Sequence, residues 1–115
     1  MKKYIRSILV TTLFVGLSTL SYSQKVVQDT ITVQGICEMC QERIEEAAYG
    51  KGVKFVSWDK HTKNLAIAFN KEKTTLEEVE KRILAAGHST QNFLVKREDY
   101  NELPDCCRYE TLHTH

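Results

Sequence analysis

The apolar residues between positions 27 and 95 change their spacing along the chain. In some segments they recur at every second position, as on a strand, and in others at every third or fourth, as on a helix. Strands are predicted at 27–33, 53–58, 65–69 and 89–95, and helices at 40–48 and 76–86. The order of elements is therefore β-α-β-β-α-β, which allows two helices to cover one face of a four-stranded antiparallel sheet.

Local signals mark the ends of both predicted helices. Gly50 and Gly52 end the first helix, and Gly87 ends the second. Thr75 with Glu78 three residues later forms a capping box at the start of the second helix. Together with the order of elements, these signals predict an α+β fold, a ferredoxin-like β-α-β-β-α-β sandwich.

The pattern also predicts which large side chains are inside. Trp58 and Phe69 are expected in the core of the domain. The acidic residues of the second helix, Glu77, Glu78 and Glu80, are expected on a solvated face that is at most a docking surface for a basic partner.

Residues 1–23 have the composition of a secretory signal peptide. Basic residues, an apolar stretch and a small-residue cleavage site follow one another, at Lys2, Lys3 and Arg6, then 8–20, then 21–23. The apolar stretch is shorter than the roughly 20 residues that a membrane-spanning helix needs. An exported, periplasmic protein is predicted, and an uncleaved anchor is the alternative.

Removal of residues 1–23 leaves a domain at 24–96 and a polar, Cys- and His-containing C-terminal tail at 97–115. All 15 acidic residues but only 13 of the 16 basic residues remain, so the net charge becomes −2. No basic stripe with interleaved aromatic residues is present, which argues against a nucleic-acid partner. No stable membrane insertion is expected after cleavage.

Cys37 and Cys40 form a C-x-x-C motif between the first strand and the first helix. The unpaired N–H groups and the positive dipole end of a helix N-terminus both favour the thiolate. Soft thiolates select Cu(I), which two sulfur ligands can hold, whereas Zn²⁺ usually takes four ligands. A structural or redox disulfide is the alternative in an exported protein.

The run from Gly35 to Cys40 resembles the heavy-metal-associated domain family, which includes copper chaperones and exported periplasmic mercury-binding proteins. The resemblance covers residues 27–95 and implies that Cys37 and Cys40 bind the metal. The family's usual signature is G-M-x-C-x-x-C, and here Gln34 and Gly35 replace its Gly and Met. Ile36 stands where zinc-preferring members often carry Asp, which favours Cu(I) or Hg(II) over Zn(II).

The tail carries a second resemblance. Residues 103–109, L-P-D-C-C-R-Y, look like the L-P-x-C-C-x-Y found at the end of some exported family members. Because adjacent cysteines pair with each other only in a strained ring, Cys106 and Cys107 are expected to find other partners. If the tail folds back, four thiols can close a multinuclear Cu(I) cluster or shield one ion. Disulfides that tie the tail to the domain are the alternative.

Four histidines complete the candidate list. The fold that the resemblance implies places the loop before the last strand beside the loop that carries Cys37 and Cys40, which we call the metal loop. His88 is therefore predicted as a third ligand or as a hydrogen-bond donor behind the ligands. An exposed loop histidine is the alternative. His113 and His115 could bind Cu(II) weakly, although a frayed terminus is favoured, and His61 is expected on the surface.

The sequence therefore predicts an exported protein, not an enzyme, that binds Cu(I) for metal trafficking or detoxification. Hg(II) scavenging is the alternative with the same ligands, and Zn(II) is a further possible ion. A membrane metal transporter or its soluble domain is the expected partner. The alternative from another class is a thiol-disulfide oxidoreductase, because strand–C-x-x-C–helix also occurs in thioredoxin-like sites. The order of elements and the place of Pro104 in the tail argue against it.

Overall fold

The computed structural model describes residues 25–115, so the predicted signal peptide lies outside the described residues. The elements, in chain order, are β1 (Val26–Thr32), α1 (Glu38–Ala48), β2 (Val53–Trp58), β3 (Asn64–Asn70), α2 (Leu76–Ala85), α3 (Arg97–Asn101) and a 3₁₀ turn at Asp105–Cys107. Within residues 25–115, no helix has both the length and the apolar character needed to cross a membrane.

The three strands form an antiparallel sheet in the order β1-β3-β2. In the central strand, Leu65, Ile67 and Phe69 point to the covered face and are buried. Helix α1 buries Cys40, Ile44 and Ala48, and α2 buries Val79 and Ile83. The alternation that predicted one buried sheet face, and the helical spacing that predicted two covering helices, are confirmed.

The predicted fourth strand at 89–95 is reduced to a single bridge between Val33 and Thr90. The segment turns back on itself after that bridge, because the Thr90 N–H donates to the Phe93 carbonyl and the Val95 N–H donates to Ser89 Oγ. These local bonds use the groups that a longer ladder would need. In the described chain, the sheet therefore has three strands and one bridge.

The core predictions hold with one exception. Trp58 and Phe69 are buried, as expected. Glu80 was expected on a solvated helix face, and that prediction is wrong, since the residue is only 2% exposed. Its two carboxylate oxygens accept hydrogen bonds from Thr90 Oγ1 and Asn92 Nδ2, which offset the loss of water on burial. Glu80 thus anchors the turn that interrupts the expected fourth strand.

The tail packs onto the domain through buried apolar side chains. Tyr100 and Leu103 are 4% and 3% exposed and belong to the same core as the sheet. Gly87, at φ +105°, leaves room for Leu103, because a Cβ at this glycine would lie 2.7 Å from Leu103 Cδ2. An ion pair between Arg97 and Glu110, at 2.7 Å, joins α3 to the residues after the 3₁₀ turn. The tail therefore has a defined course over the domain.

Candidate metal centre

Cys37 is the N-cap residue of α1. Its backbone is extended, at φ −148° and ψ 174°, and its Sγ accepts a hydrogen bond from the Cys40 N–H at 3.4 Å. A thiol takes here the place that Ser or Asp usually takes at a helix start. The geometry brings Cys37 Sγ within 3.3 Å of Cys40 Sγ. The predicted placement of the C-x-x-C motif at the first turn of a helix is confirmed.

Gly35 allows the loop before Cys37 to lie against Trp58. A Cβ at Gly35 would be 2.9 Å from two atoms of the Trp58 ring and 3.1 Å from Cys40 Cβ. The indole N–H of Trp58 donates to the Val33 carbonyl at 3.0 Å, which fixes the ring in this place. A methionine at position 35 would collide with this ring. Trp58 therefore fills the space that the methionine of the G-M-x-C-x-x-C signature would need, and glycine replaces that methionine here.

The tail brings a third sulfur to this pair. Cys107, from the 3₁₀ turn, is fully buried, and its Sγ lies 3.8 Å from Cys37 Sγ. The sulfurs of Cys37, Cys40 and Cys107 all lie within 4.8 Å of one another. We call these three residues the buried thiol group. The structure presents all four cysteines as free thiols.

Cys106 lies at the edge of the group. It is half-buried, and its Sγ is 4.0 Å from Cys107 Sγ and 3.4 Å from Met39 Sδ. Its carbonyl oxygen lies 3.5 Å from Cys37 Sγ, so the tail backbone covers that thiol. The sequence prediction missed Met39 as a sulfur donor, although its position between the two cysteines was the available signal. It is 47% exposed.

A cavity of about 370 Å³ borders these sulfurs. We call it the site pocket, and its lining consists of Cys37, Glu38, Met39, Lys60, Cys106 and His115. His115 is held there by two contacts, because its N–H donates to the Ile36 carbonyl at 2.9 Å and its carbonyl accepts from Lys60 Nζ at 3.1 Å. The buried thiol group therefore borders solvent on the side of Met39 and Cys106.

The thiols of the group differ in their acidity. Burial alone would raise the pKa of Cys37, but hydrogen bonds from the Cys40 N–H, the Cys40 thiol and the Cys107 thiol lower it below its usual value. Burial raises the pKa of Cys40. Burial, followed by the neighbouring thiols, raises the pKa of Cys107 far above its usual value. Cys37 is thus the thiol that most readily becomes a thiolate.

Lys63 is a charged neighbour that the sequence prediction also missed. It lies in the turn between β2 and β3 at φ 65°, and its Nζ donates to the Lys60 carbonyl and to Thr114 Oγ1. Burial lowers its pKa, whereas the charges of Cys40 and Cys37 act in the opposite direction. Its ammonium group is therefore close enough to stabilise a negative charge on the thiols.

His88 supports the metal loop from behind. It is fully buried, and its Nδ1 donates to the Gln34 carbonyl at 2.7 Å, so the neutral ring carries its proton on that nitrogen. Its ring stacks on Tyr109 at 5.6 Å between centroids. Burial lowers its pKa to about 4. His88 is outside the buried thiol group. The exposed-loop alternative is wrong, and the hydrogen bond fits the predicted role behind the ligands.

The remaining histidines lie on the surface of the described chain. His61 is exposed in the turn after β2, as expected. His113 and His115 are exposed, and His115 Nδ1 lies 3.0 Å from the His113 carbonyl. Of these three, only His115 lines the site pocket.

The fold is shared with two solved structures. One is the solution structure of a candidate copper-ion-binding protein from Bacillus anthracis strain Ames, with a TM-score of 0.55 and 24% identity over 57% of this chain and 96% of that one. The other is a CopZ metallochaperone, with a TM-score of 0.53 and 18% identity over 56% of this chain and 98% of that one. No protein-family profile matches the sequence. No curated protein matches it either.

Proposed function

We propose that this protein is an exported carrier of Cu(I), which acts in the periplasm in copper delivery or detoxification. The observation that carries the proposal is the buried thiol group, in which the C-x-x-C motif and the tail bring three sulfurs within 4.8 Å of one another. Sulfur is the donor that soft ions prefer, and no carboxylate belongs to the group.

The sulfur positions suit an ion with three ligands. A metal–sulfur distance of about 2.3 Å in a planar three-sulfur site separates the sulfurs by roughly 4 Å. The distances of 3.3 Å between Cys37 and Cys40 and 3.8 Å between Cys37 and Cys107 are near that value. Small side-chain movements would therefore admit the ion. Hg(II) suits the same donors, whereas Zn²⁺ would need one more ligand.

The role of carrier draws support from the likeness to known structures. The two similar structures are named for copper-ion binding and for a metallochaperone, and this chain covers nearly all of each. A carrier passes its ion on, so we propose a membrane metal transporter, or its soluble domain, as the partner. The protein is then a binding protein and not an enzyme.

Thiol-disulfide exchange is the second candidate function, because this chemistry requires a thiol with a lowered pKa and the pKa of Cys37 is lowered. Cys40 Sγ lies 3.3 Å from Cys37 Sγ and could act as the resolving thiol. However, Cys37 is only 5% exposed, and the carbonyl oxygen of Cys106 covers it, so a protein disulfide would have to displace the tail.

An anaerobic titration of the reduced protein with Cu(I), in competition with the chelator bicinchoninate, tests the proposal. We expect the protein to remove Cu(I) from the chelator and to show Cu(I) by mass spectrometry after purification from copper-fed cells. The same preparation is assayed for reduction of a model disulfide. Failure to compete for Cu(I), together with catalysed disulfide reduction, would favour the oxidoreductase.

A further inference from the structure

Five sulfur atoms form a continuous row from the core of the protein to its surface. The row runs through Cys40, Cys37, Cys107, Cys106 and Met39, and the consecutive sulfur–sulfur distances are 3.3, 3.8, 4.0 and 3.4 Å. A copper ion bound between two members of this row can reach the next sulfur by a movement of a few ångströms. The row therefore joins the buried thiol group to the site pocket.

Exposure changes along the row. Cys40 and Cys107 are fully buried, Cys106 is half-buried, and Met39 is 47% exposed. Cys37, Met39 and Cys106 all line the site pocket, but Cys37 is only 5% exposed, and the carbonyl oxygen of Cys106 lies 3.5 Å from its sulfur. An ion that enters from solvent therefore meets the more exposed sulfurs of Met39 and Cys106 before that of Cys37.

We propose that Met39 and Cys106 form an outer Cu(I) position, through which the ion enters and leaves the buried thiol group. This proposal rests on the proposed function in copper binding. A thioether is a soft but uncharged ligand, so it binds Cu(I) and releases it more readily than a thiolate does. Met39 is the only methionine in the described chain.

The transfer proceeds by exchange of sulfur ligands. Cu(I) first binds Cys106 Sγ and Met39 Sδ as it leaves the donor complex, and the Cys106 proton passes to water in the pocket. Cys107 Sγ then releases its proton to water and bonds to copper while the bond to Met39 breaks. In the next step Cys37 Sγ replaces Cys106 Sγ on copper, and the Cys37 proton passes to the departing Cys106 thiolate. Cys40 Sγ finally releases its proton to water and adds as the third ligand of the buried thiol group. Copper remains Cu(I) throughout. Release follows the same steps in reverse order.

The substitution Met39→Leu tests the outer position, because it removes the sulfur and keeps an apolar side chain of similar volume. The reduced full-length chain is mixed with the Cu(I)–bicinchoninate complex under anaerobic conditions, and the loss of the complex's absorbance gives the rate of capture. Excess chelator added to the loaded protein gives the rate of release. We expect Met39→Leu to slow both rates several-fold and by a similar factor.

Two further variants make the result specific. Cys106→Ser should also slow capture, since it removes the other member of the outer position. Leu94→Met is the matched control, because it adds a thioether at a residue that is 89% exposed and does not line the pocket. This control should capture Cu(I) at the wild-type rate, and adding it to Met39→Leu should not restore the rate.

The outcomes separate this proposal from the function on which it rests. A wild-type protein that takes no Cu(I) from the complex would contradict both. A wild-type protein that binds Cu(I), with Met39→Leu equal to it in both rates, would overturn the outer position alone. A large loss of affinity without any slower capture in Met39→Leu would also overturn it, because Met39 would then be a ligand of the resting site.

Discussion

The metal loop and the tail both contribute sulfur to one site, but they reach it in different ways. The loop is positioned by its neighbours in sequence, since Cys37 caps the helix that contains Cys40. The tail is positioned by contacts with distant residues, since Leu103 packs on Gly87 and Tyr109 stacks on His88. Local structure thus creates a two-sulfur motif, and tertiary packing adds the third sulfur.

This difference also appears in the chemistry of the thiols. Hydrogen bonds at the helix N-terminus lower the pKa of Cys37, whereas burial of the tail residue Cys107 raises its pKa. Cys37 therefore loses its proton more readily than Cys107 does. Metal binding through Cys107 should release a proton, so the contribution of the tail to the site should depend on pH.

The largest effect is expected in the loop. Cys37→Ser should weaken Cu(I) binding by orders of magnitude, because a hydroxyl is a poor ligand for a soft ion. Serine is a favoured N-cap residue, so the fold of the metal-free protein should persist. Chelator competition measures the affinity, and urea unfolding provides the control. Wild-type affinity in this variant would refute the loop as the primary site.

The pH dependence of Cu(I) binding distinguishes the two regions. Each thiol that must lose a proton makes the affinity rise about tenfold per pH unit, below the pKa of that thiol. Because burial raises the pKa values of Cys40 and Cys107, each of these thiols should contribute about tenfold per unit to the rise near neutral pH. Cys107→Ser should therefore make the rise about tenfold per unit shallower than in the wild type. Identical slopes in the two proteins would show that Cys107 does not bind the ion.

Leu103→Ala tests the anchor of the tail. Deleting a buried leucine side chain typically lowers the free energy of unfolding by about 3 kcal/mol, and Leu103 is 3% exposed. The loosened tail should also lower the affinity for Cu(I). Leu94→Ala, at a residue that is 89% exposed, is the control and should change stability by less than about 0.5 kcal/mol. A less stable Leu103→Ala protein with unchanged Cu(I) affinity would argue against a ligand from the tail.

His88 joins the loop to the tail, and it should make the stability of the domain depend on pH. Its pKa is lowered from 6.5 to about 4 by burial, so the unfolded chain binds a proton that the folded one does not as the pH falls from 6.5 to 4. The resulting loss of stability should reach up to about 3 kcal/mol near pH 4 and be absent above pH 7.

His88→Asn provides the comparison, since its amide can still donate to the Gln34 carbonyl but does not titrate in this range. Urea unfolding of the metal-free protein at several pH values measures the difference in slope. Parallel pH profiles for the two proteins would mean that His88 is not buried in its neutral form.

Sequence reasoning predicted best those features that depend on neighbouring residues. The cap at Thr75 is observed, with the Glu78 N–H donating to Thr75 Oγ1 at 3.2 Å. The covered sheet face followed from alternation at Leu65, Ile67 and Phe69. The fourth strand and the exposure of Glu80 were mispredicted for one reason, because the carboxylate of Glu80 binds residues ten and twelve positions away. No periodic pattern contains that information.

The same distinction between local and long-range contacts applies to the residues of the candidate site. Cys37 and Cys40 could be assigned from their place before a helix, and Cys106 and Cys107 only through the resemblance of the tail. Met39 and Lys63 were missed, because their proximity to the thiols depends on how the tail and the β2–β3 turn fold. The sequence indicated the four cysteines, and the structure shows which of them lie together and which other side chains lie beside them.

In the proposed site, the tail supplies the third sulfur ligand through Cys107. X-ray absorption spectroscopy at the copper edge, on the reduced wild-type protein loaded with one equivalent of Cu(I), measures the number of sulfur ligands directly. We predict three sulfur ligands in the wild type and two in Cys107→Ser. Two sulfur ligands in both proteins would contradict the claim and leave the C-x-x-C motif as the whole site.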